Sequence, residues 1–227
     1  MKKMIFVMLL LICFVNLSFA QRRQKGVLLT GSLGPGFPVT SAPYRDYYAR
    51  HIGFGIGCQF QLSLKNRVGI HLDYRSNHPD FDAILEQMQP IPANFQIHLN
   101  GGDIQIVSVS VRYRFDLISS LHFRTFYSIV GCGVYAVTKS SSEWITTVSD
   151  KELKEVFPSE FTGAFGGLLG FGYEYIYSRH TAVSLELIFH QLFTPESLHL
   201  DDVHVNLDDS ISHPGYLELM AGVQYSL

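Results

Sequence analysis

Charge is scarce in this sequence: Asp, Glu, Lys and Arg make up 16% of its 227 residues, against ~25% in ordinary soluble domains. Together with 47% hydrophobic residues, that composition excludes a disordered polar chain. Seventeen Lys and Arg stand against 20 Asp and Glu, so no basic excess exists to drive nucleic-acid binding. Beyond residue 20 there is no apolar run of about 18 residues, which excludes a spanning helix there. Cysteine (three) and tryptophan (one) are nearly absent. Abundant instead are 19 glycines, 17 phenylalanines and 12 tyrosines, a mixture that suits a β-rich chain with aromatic surface positions.

Residues 1–20, MKKMIFVMLLLICFVNLSFA, carry Lys2 and Lys3, an apolar run from Met4 to Val15, and the small residues Ser18 and Ala20. This is the pattern of a secretory signal peptide cleaved after Ala20. The run is too short for a membrane anchor, and the bulky Leu10, Leu11 and Ile12 before Cys13 argue against a lipoprotein site. The expected mature domain is residues 21–227. Losing Lys2 and Lys3 leaves 15 basic against 20 acidic residues, a net charge of −5. Cys58 and Cys132 remain, in an exported chain where disulfides can form. Both lie inside apolar, non-consecutive segments, so small buried hydrophobes are expected rather than a bridge.

Strict alternation marks the strands. Val107, Val109, Val111, Tyr113 and Phe115 alternate with Ser108, Ser110, Arg112 and Arg114. Val183, Leu185, Leu187 and Phe189 alternate with Ser184, Glu186, Ile188 and His190. Three further segments, around 52–64, 68–75 and 165–177, show the same period, while 26–33 and 123–139 alternate less cleanly and leave their parity open. With strands at 26–33, 52–64, 68–75, 103–115, 123–139, 161–177, 181–193 and 215–227, the gaps are 18, 3, 27, 7, 21, 3 and 21 residues. Long and short connections alternate, as they do when short turns gather at one end of a membrane barrel and loops at the other. A lipocalin-like soluble barrel has no such requirement.

No Asp, Glu, Lys or Arg falls on the apolar parity of the clear strands, as expected where a midplane Arg or Lys costs ~2–4 kcal/mol in lipid. Aromatics cluster toward the strand ends. Phe60, Tyr113, Phe115, Tyr173, Tyr175, Tyr177 and Tyr225 fall near the short turns, and Phe54, Tyr74, Phe165, Phe189 and Phe193 near the loops, forming two girdles. The fold expected is all-β: an eight-stranded antiparallel up-and-down transmembrane β-barrel whose lipid-facing partner is the outer membrane.

In this pattern, sharpest in the last strand Leu217-x-Leu219-x-Ala221-x-Val223-x-Tyr225-x-Leu227, the chain resembles the OmpA/OmpX-like family of small outer-membrane barrels. The resemblance covers residues 26–227. It implies that Leu219, Ala221, Val223, Tyr225 and Leu227 form the signal read by the barrel-assembly machinery, although that family usually ends on an aromatic residue and this chain ends on Leu227.

An eight-stranded barrel is just wide enough to be filled by side chains, so no open pore is expected. Asp73, Arg75, Arg112, Arg114, Glu174, Glu186 and Glu218 share the polar parity, joined by His71, His190 and glutamines. Buried charges persist only when paired, which predicts a lumen ladder of Arg–carboxylate bridges. Some barrels of this size resemble lipid A-modifying enzymes with a His, Ser and acid set. Here Ser184, Glu186 and His190 share a face, but at ~3.3 Å per residue Glu186 and His190 stand roughly 13 Å apart along the strand. Nor does His190-Gln191-Leu192-Phe193 place a serine two residues on, as the deacylase motif would. No catalytic residue, metal or cofactor is therefore expected.

The loops carry three local patterns. His199, Asp201, Asp202, His204, Asp208 and Asp209 match no established calcium or zinc spacing and read as a solvated acidic extension. Phe81, Ile84, Leu85 and Met88 have helical spacing, and Ser149-x-x-Glu152 before Leu153, Val156 and Phe157 resembles a capping box opening a short helix. Such stripes pack on the barrel rim or grip a partner. The four long connections, 34–51, 76–102, 140–160 and 194–214, hold 87 residues. That excess points to a non-catalytic structural or surface-interaction role toward an unknown ligand or protein. The alternatives are a lipid A-modifying enzyme and an accessory subunit of an envelope secretion or transport machine.

Overall fold

The protein was analysed as a computed structural model that describes residues 26–40, 42–87, 95–120, 124–148, 151–178, 180–193 and 214–227. In chain order the elements are β1 (Val27–Thr40), α1 (Ala42–Tyr47), β2 (His51–Gln61), β3 (Asn66–Asn77), α2 (Phe81–Gln87), β4 (Phe95–Gly101) and β5 (Ile104–Ser120). They continue with β6 (Arg124–Lys139), β7 (Ser142–Val148), β8 (Lys151–Phe157), β9 (Glu160–Ile176), β10 (Thr181–Phe193) and β11 (Gly215–Ser226). Eight strands close into a barrel in the order β1-β11-β10-β9-β6-β5-β3-β2, and every neighbouring pair is antiparallel. Closure removes the free edges that hydrocarbon does not tolerate. Among the described residues no helix is long and apolar enough to cross a membrane.

The short connections are tight. Leu62 and Ser63 donate backbone bonds to the Asn66 carbonyl, and Tyr177 and Ser178 do the same to Thr181. At the opposite end, which we call the rim, the wall continues outward. β4, β7 and β8 form a second, three-stranded sheet in the order β4-β7-β8. Each is sequence-adjacent to β5, β6 or β9 and repeats their order, so the rim sheet extends that part of the barrel wall. Helix α2 starts on Asp80, whose carboxylate accepts the Ala83 amide at 3.2 Å.

Several boundaries differ from the sequence expectation, and three segments show why. The first strand ends at Thr40, not Leu33, because the ladder accommodates the prolines that read as a loop. The β1–β11 pairing skips Gly34 and Pro35 and shifts register after Pro38, where no proline donor is required. β5 runs past Phe115 to Ser120 through a bulge between Asp116 and Ile118, which breaks the alternation that defines a strand in sequence. Residues 151–157 form a strand rather than a helix. β7 offers them a complete ladder from Ser142↔Phe157 to Val148↔Lys151, which satisfies their backbone groups in the extended form. Ser149 of the expected capping box lies outside the described residues. The other stripe does form a helix, α2, with Met88 outside the described residues.

Candidate functional site

Strand alternation turns one residue in two into the lumen, and there the polar groups meet. At the rim half, Glu218 on β11 accepts Arg75 Nε at 2.5 Å and Nη2 at 2.8 Å. The same carboxylate lies 3.1 Å from His190 and 3.4 Å from His51. Tyr216 stacks on the His190 ring at 4.6 Å and lies beneath the Arg75 guanidinium at 4.9 Å. The Tyr135 hydroxyl reaches His190 Nδ1 at 3.2 Å. In the middle, Arg112 pairs with Asp73 at 2.5 Å. Toward the short turns, Arg114 forks onto Glu174 at 2.6 and 3.0 Å and also holds Asp116 at 2.8 Å. Arg67 forks onto the same Glu174 at 2.9 and 3.2 Å. Glu186 accepts the Tyr127 hydroxyl at 2.6 Å.

The seven acids and bases singled out from sequence thus all face the lumen and are buried. Arg67, Asp116, His51, Tyr127, Tyr135 and Tyr216 join them without having been singled out. Arg67 and His51 each sit one residue outside the expected strand, and Asp116 sits at the bulge. Tyr127 and Tyr135 belong to the strand whose parity the sequence left open. Inward glycines make the ladder possible: a Cβ at Gly172 would collide with the Tyr127 ring, and one at Gly36 with the His51 ring.

The lumen is not wholly polar. Ile104, Ile106, Tyr135, Val137, Leu192 and Tyr216 form a buried cluster near the rim, continuous with Tyr47 and Tyr48 beside α1, and Ile84 of α2 packs against it. Tyr127, Ile129, Leu168 and Ile188 form a second cluster. The first caps the charge ladder with apolar side chains.

The outer wall carries the opposite character. Val107, Val109, Val111, Leu169, Leu185 and Val223 are all exposed there. Phe60, Phe115, Tyr173, Tyr175, Tyr177 and Tyr225 are exposed toward the short-turn end, and Tyr113 is half-buried among them. Leu219, Ala221, Val223, Tyr225 and Leu227 share this outer face on and beyond β11. Cys132 is exposed on it and Cys58 half-exposed, both as free thiols. They are outward groups rather than the buried hydrophobes expected, because their parity is that of Phe60 and Val130.

The residues weighed for catalysis are engaged elsewhere. His190 contacts Arg75, Tyr135 and Glu218, none of them a serine, and Glu186 is held by Tyr127. Residues 1–25 and the acidic segment 199–209 lie outside the described residues.

No family model and no curated protein matches this chain. Solved structures do. The crystal structure of Neisserial surface protein A is 10% identical, with 89% of this chain and 97% of that chain covered, at a TM-score of 0.51. Outer membrane protein OprG from Pseudomonas aeruginosa is 8% identical over 91% and 97% of the two chains, at a TM-score of 0.44. Ail, the attachment invasion locus protein of Yersinia pestis, is 12% identical over 90% and 100%, at a TM-score of 0.43. At such identities the likeness is one of fold: this chain has the fold of the small eight-stranded outer-membrane β-barrels.

Proposed function

We propose that this chain is a non-catalytic outer-membrane protein that works through the surface built at its rim, toward a ligand or protein partner outside the cell. The observation that carries this reading is the contrast between the two ends of one barrel. The lumen is filled by ion pairs and capped by an apolar cluster, which favours neither a pore nor an enzyme cleft. The rim adds a three-stranded sheet and two helices that closing eight strands does not require.

In this reading residues 1–20 are a cleaved export signal, and the short turns face the periplasm. Phe60, Tyr113, Phe115, Tyr173, Tyr175, Tyr177 and Tyr225 then lie at the lipid interface, and the last strand serves the assembly machinery. Engagement of Glu186 and His190 by Tyr127 and Glu218 argues against the lipid A-modifying alternative. The test replaces the four long connections by tight turns. A folded barrel that has lost every surface phenotype and partner is the expected result. Partner capture retained by the trimmed barrel would move function to the lipid-facing wall and favour a role as a machine subunit.

A further inference from the structure

On the lipid-facing side of β1 one residue is not explained by the fold. Gly31 lies mid-strand in unbroken register with β2 and opposite Val223 of β11, so it marks no bulge, and its φ is not left-handed. A Cβ added there meets nothing within 4 Å, so close packing does not require a glycine either. A glycine inside a strand weakens it, and with bulge and tight packing set aside the remaining reason for one is the approach of a ligand. Ala221 of β11, opposite Leu33 and diagonal to Gly31, is small as well. Between them the outer wall opens into a groove of about 680 Å³, within the ~300–1,000 Å³ of small-molecule sites. Phe54 and Ile56 of β2 flank it on one side and Val183 of β10 on the other, all three exposed. No side chain lining the groove is charged, so it suits hydrocarbon.

The charge that identifies the occupant stands at the rim end of the same two strands. His51 turns into the lumen and Ile52 outward, so Arg50, just before β2, has the outward parity of Ile52, Phe54 and Ile56. Gly36 pairs with His51, which sets Arg50 opposite Phe37, and the guanidinium lies over the Phe37 ring at 5.3 Å from its centroid. The ring holds the cation against the outer wall. Arg50 is exposed, and among the described residues no carboxylate pairs with it, whereas Arg45 nearby is paired with Asp46 at 2.7 Å. From Arg50 the groove begins at the level of Phe54 and reaches that of Ile56, roughly 13 to 20 Å along the strand. With strands tilted ~35–45°, that is about 10–15 Å of depth, and half of a hydrocarbon core is about 15 Å. A cation at headgroup depth with an apolar groove one acyl chain beneath it matches the two ends of a single lipid molecule, and a guanidinium favours phosphate there.

We infer that this face of the barrel binds one anionic, phosphate-bearing lipid of the rim-side leaflet, its phosphate on Arg50 and an acyl chain in the groove at Gly31 and Ala221. The site lies on the wall formed by β2, β1, β11 and β10, apart from the rim sheet and helices, so it goes beyond the reading of the rim as the working surface.

Native mass spectrometry of the refolded protein in mild detergent counts the lipids that stay on each barrel. Dimyristoyl phosphatidic acid and dimyristoyl phosphatidylcholine are added in separate titrations; their chains are identical, so a difference reads the headgroup. The expected result is one retained phosphatidic acid, bound about fivefold tighter than phosphatidylcholine, as one interfacial cation contributes. Arg50→Gln should abolish that preference. Gly31→Leu, which fills the groove from a position with room for a side chain, should release both lipids, and Ala221→Leu fills the same groove from β11. Each variant is read in protein whose heat-modifiable gel migration shows an intact barrel. Equal retention of the two lipids overturns the inference, as does a preference that survives Arg50→Gln or retention that survives both groove-filling changes. A dimer that the groove-filling changes dissociate also overturns it, because the groove then belongs to a second copy of the chain. None of these outcomes alters what trimming the loops reads, so failure here leaves the rim as the working surface.

Discussion

Single side chains in the lumen differ widely in what their loss should do. Arg75 is the only arginine on Glu218 among the described residues, and both groups are about 1% exposed. Arg75→Leu therefore strands a carboxylate against two imidazoles, and breaking such a buried pair costs ~3–5 kcal/mol. Glu174 is instead shared by Arg67 and Arg114, so Arg114→Ala leaves it a forked partner and should cost less. Denaturant midpoints in detergent check both. Glu218→Gln added to Arg75→Leu should restore part of the loss, whereas strict additivity of the two changes would contradict the pairing.

At the scale of elements, closure is what the last strand supplies. β11 is bonded on one side to β1 and on the other to β10, with Tyr225 opposite Leu29 and Thr181. Deleting Tyr225–Leu227 removes outward anchors and the end of both ladders, and an unclosed edge is not tolerated in hydrocarbon. Loss of assembled protein with periplasmic degradation is expected by immunoblot of membrane fractions, while Leu227→Phe should assemble at least as well. Normal membrane levels of the truncated chain would contradict the assignment of this strand.

Elements also differ in how legibly the sequence announces them. Strands such as 107–115 and 183–189 alternate cleanly because lipid outside and ion pairs inside impose opposite demands on neighbouring residues. Where that contrast fails, the reading fails. β6 sends Tyr127, Ile129, Tyr135 and Val137 inward and Phe126, Val130 and Val134 outward, so both faces look apolar and its parity is unreadable. The segment 151–157 has i, i+3 apolar spacing at Leu153 and Val156, and only the neighbouring strand β7 decides that it is extended. Its pairing partner is a long-range fact that local pattern does not contain.

For the molecule as a whole, the number of barrel strands and the short-turn end were readable from alternation and gap lengths, while the lumen charges Arg67 and Asp116 were missed. The partners within the lumen were not readable. Arg114 meets Glu174 across the barrel from a strand that is not its neighbour, and Glu186 is satisfied by a tyrosine rather than an arginine. A small pocket at the rim was also invisible, because Tyr48, Phe81 and Trp144, which line it, lie on three separate connections that only the folded rim brings together. The central claim, that this rim is a built surface outside the cell on a sealed membrane barrel, is tested most directly by cysteine accessibility. In a background lacking Cys58 and Cys132, single cysteines replace Ser141 at the rim or Asn66 at a short turn, and intact cells are treated with an impermeant maleimide. The account predicts labelling of Ser141→Cys and none of Asn66→Cys until the cells are lysed; labelling of Asn66→Cys with Ser141→Cys protected would contradict it.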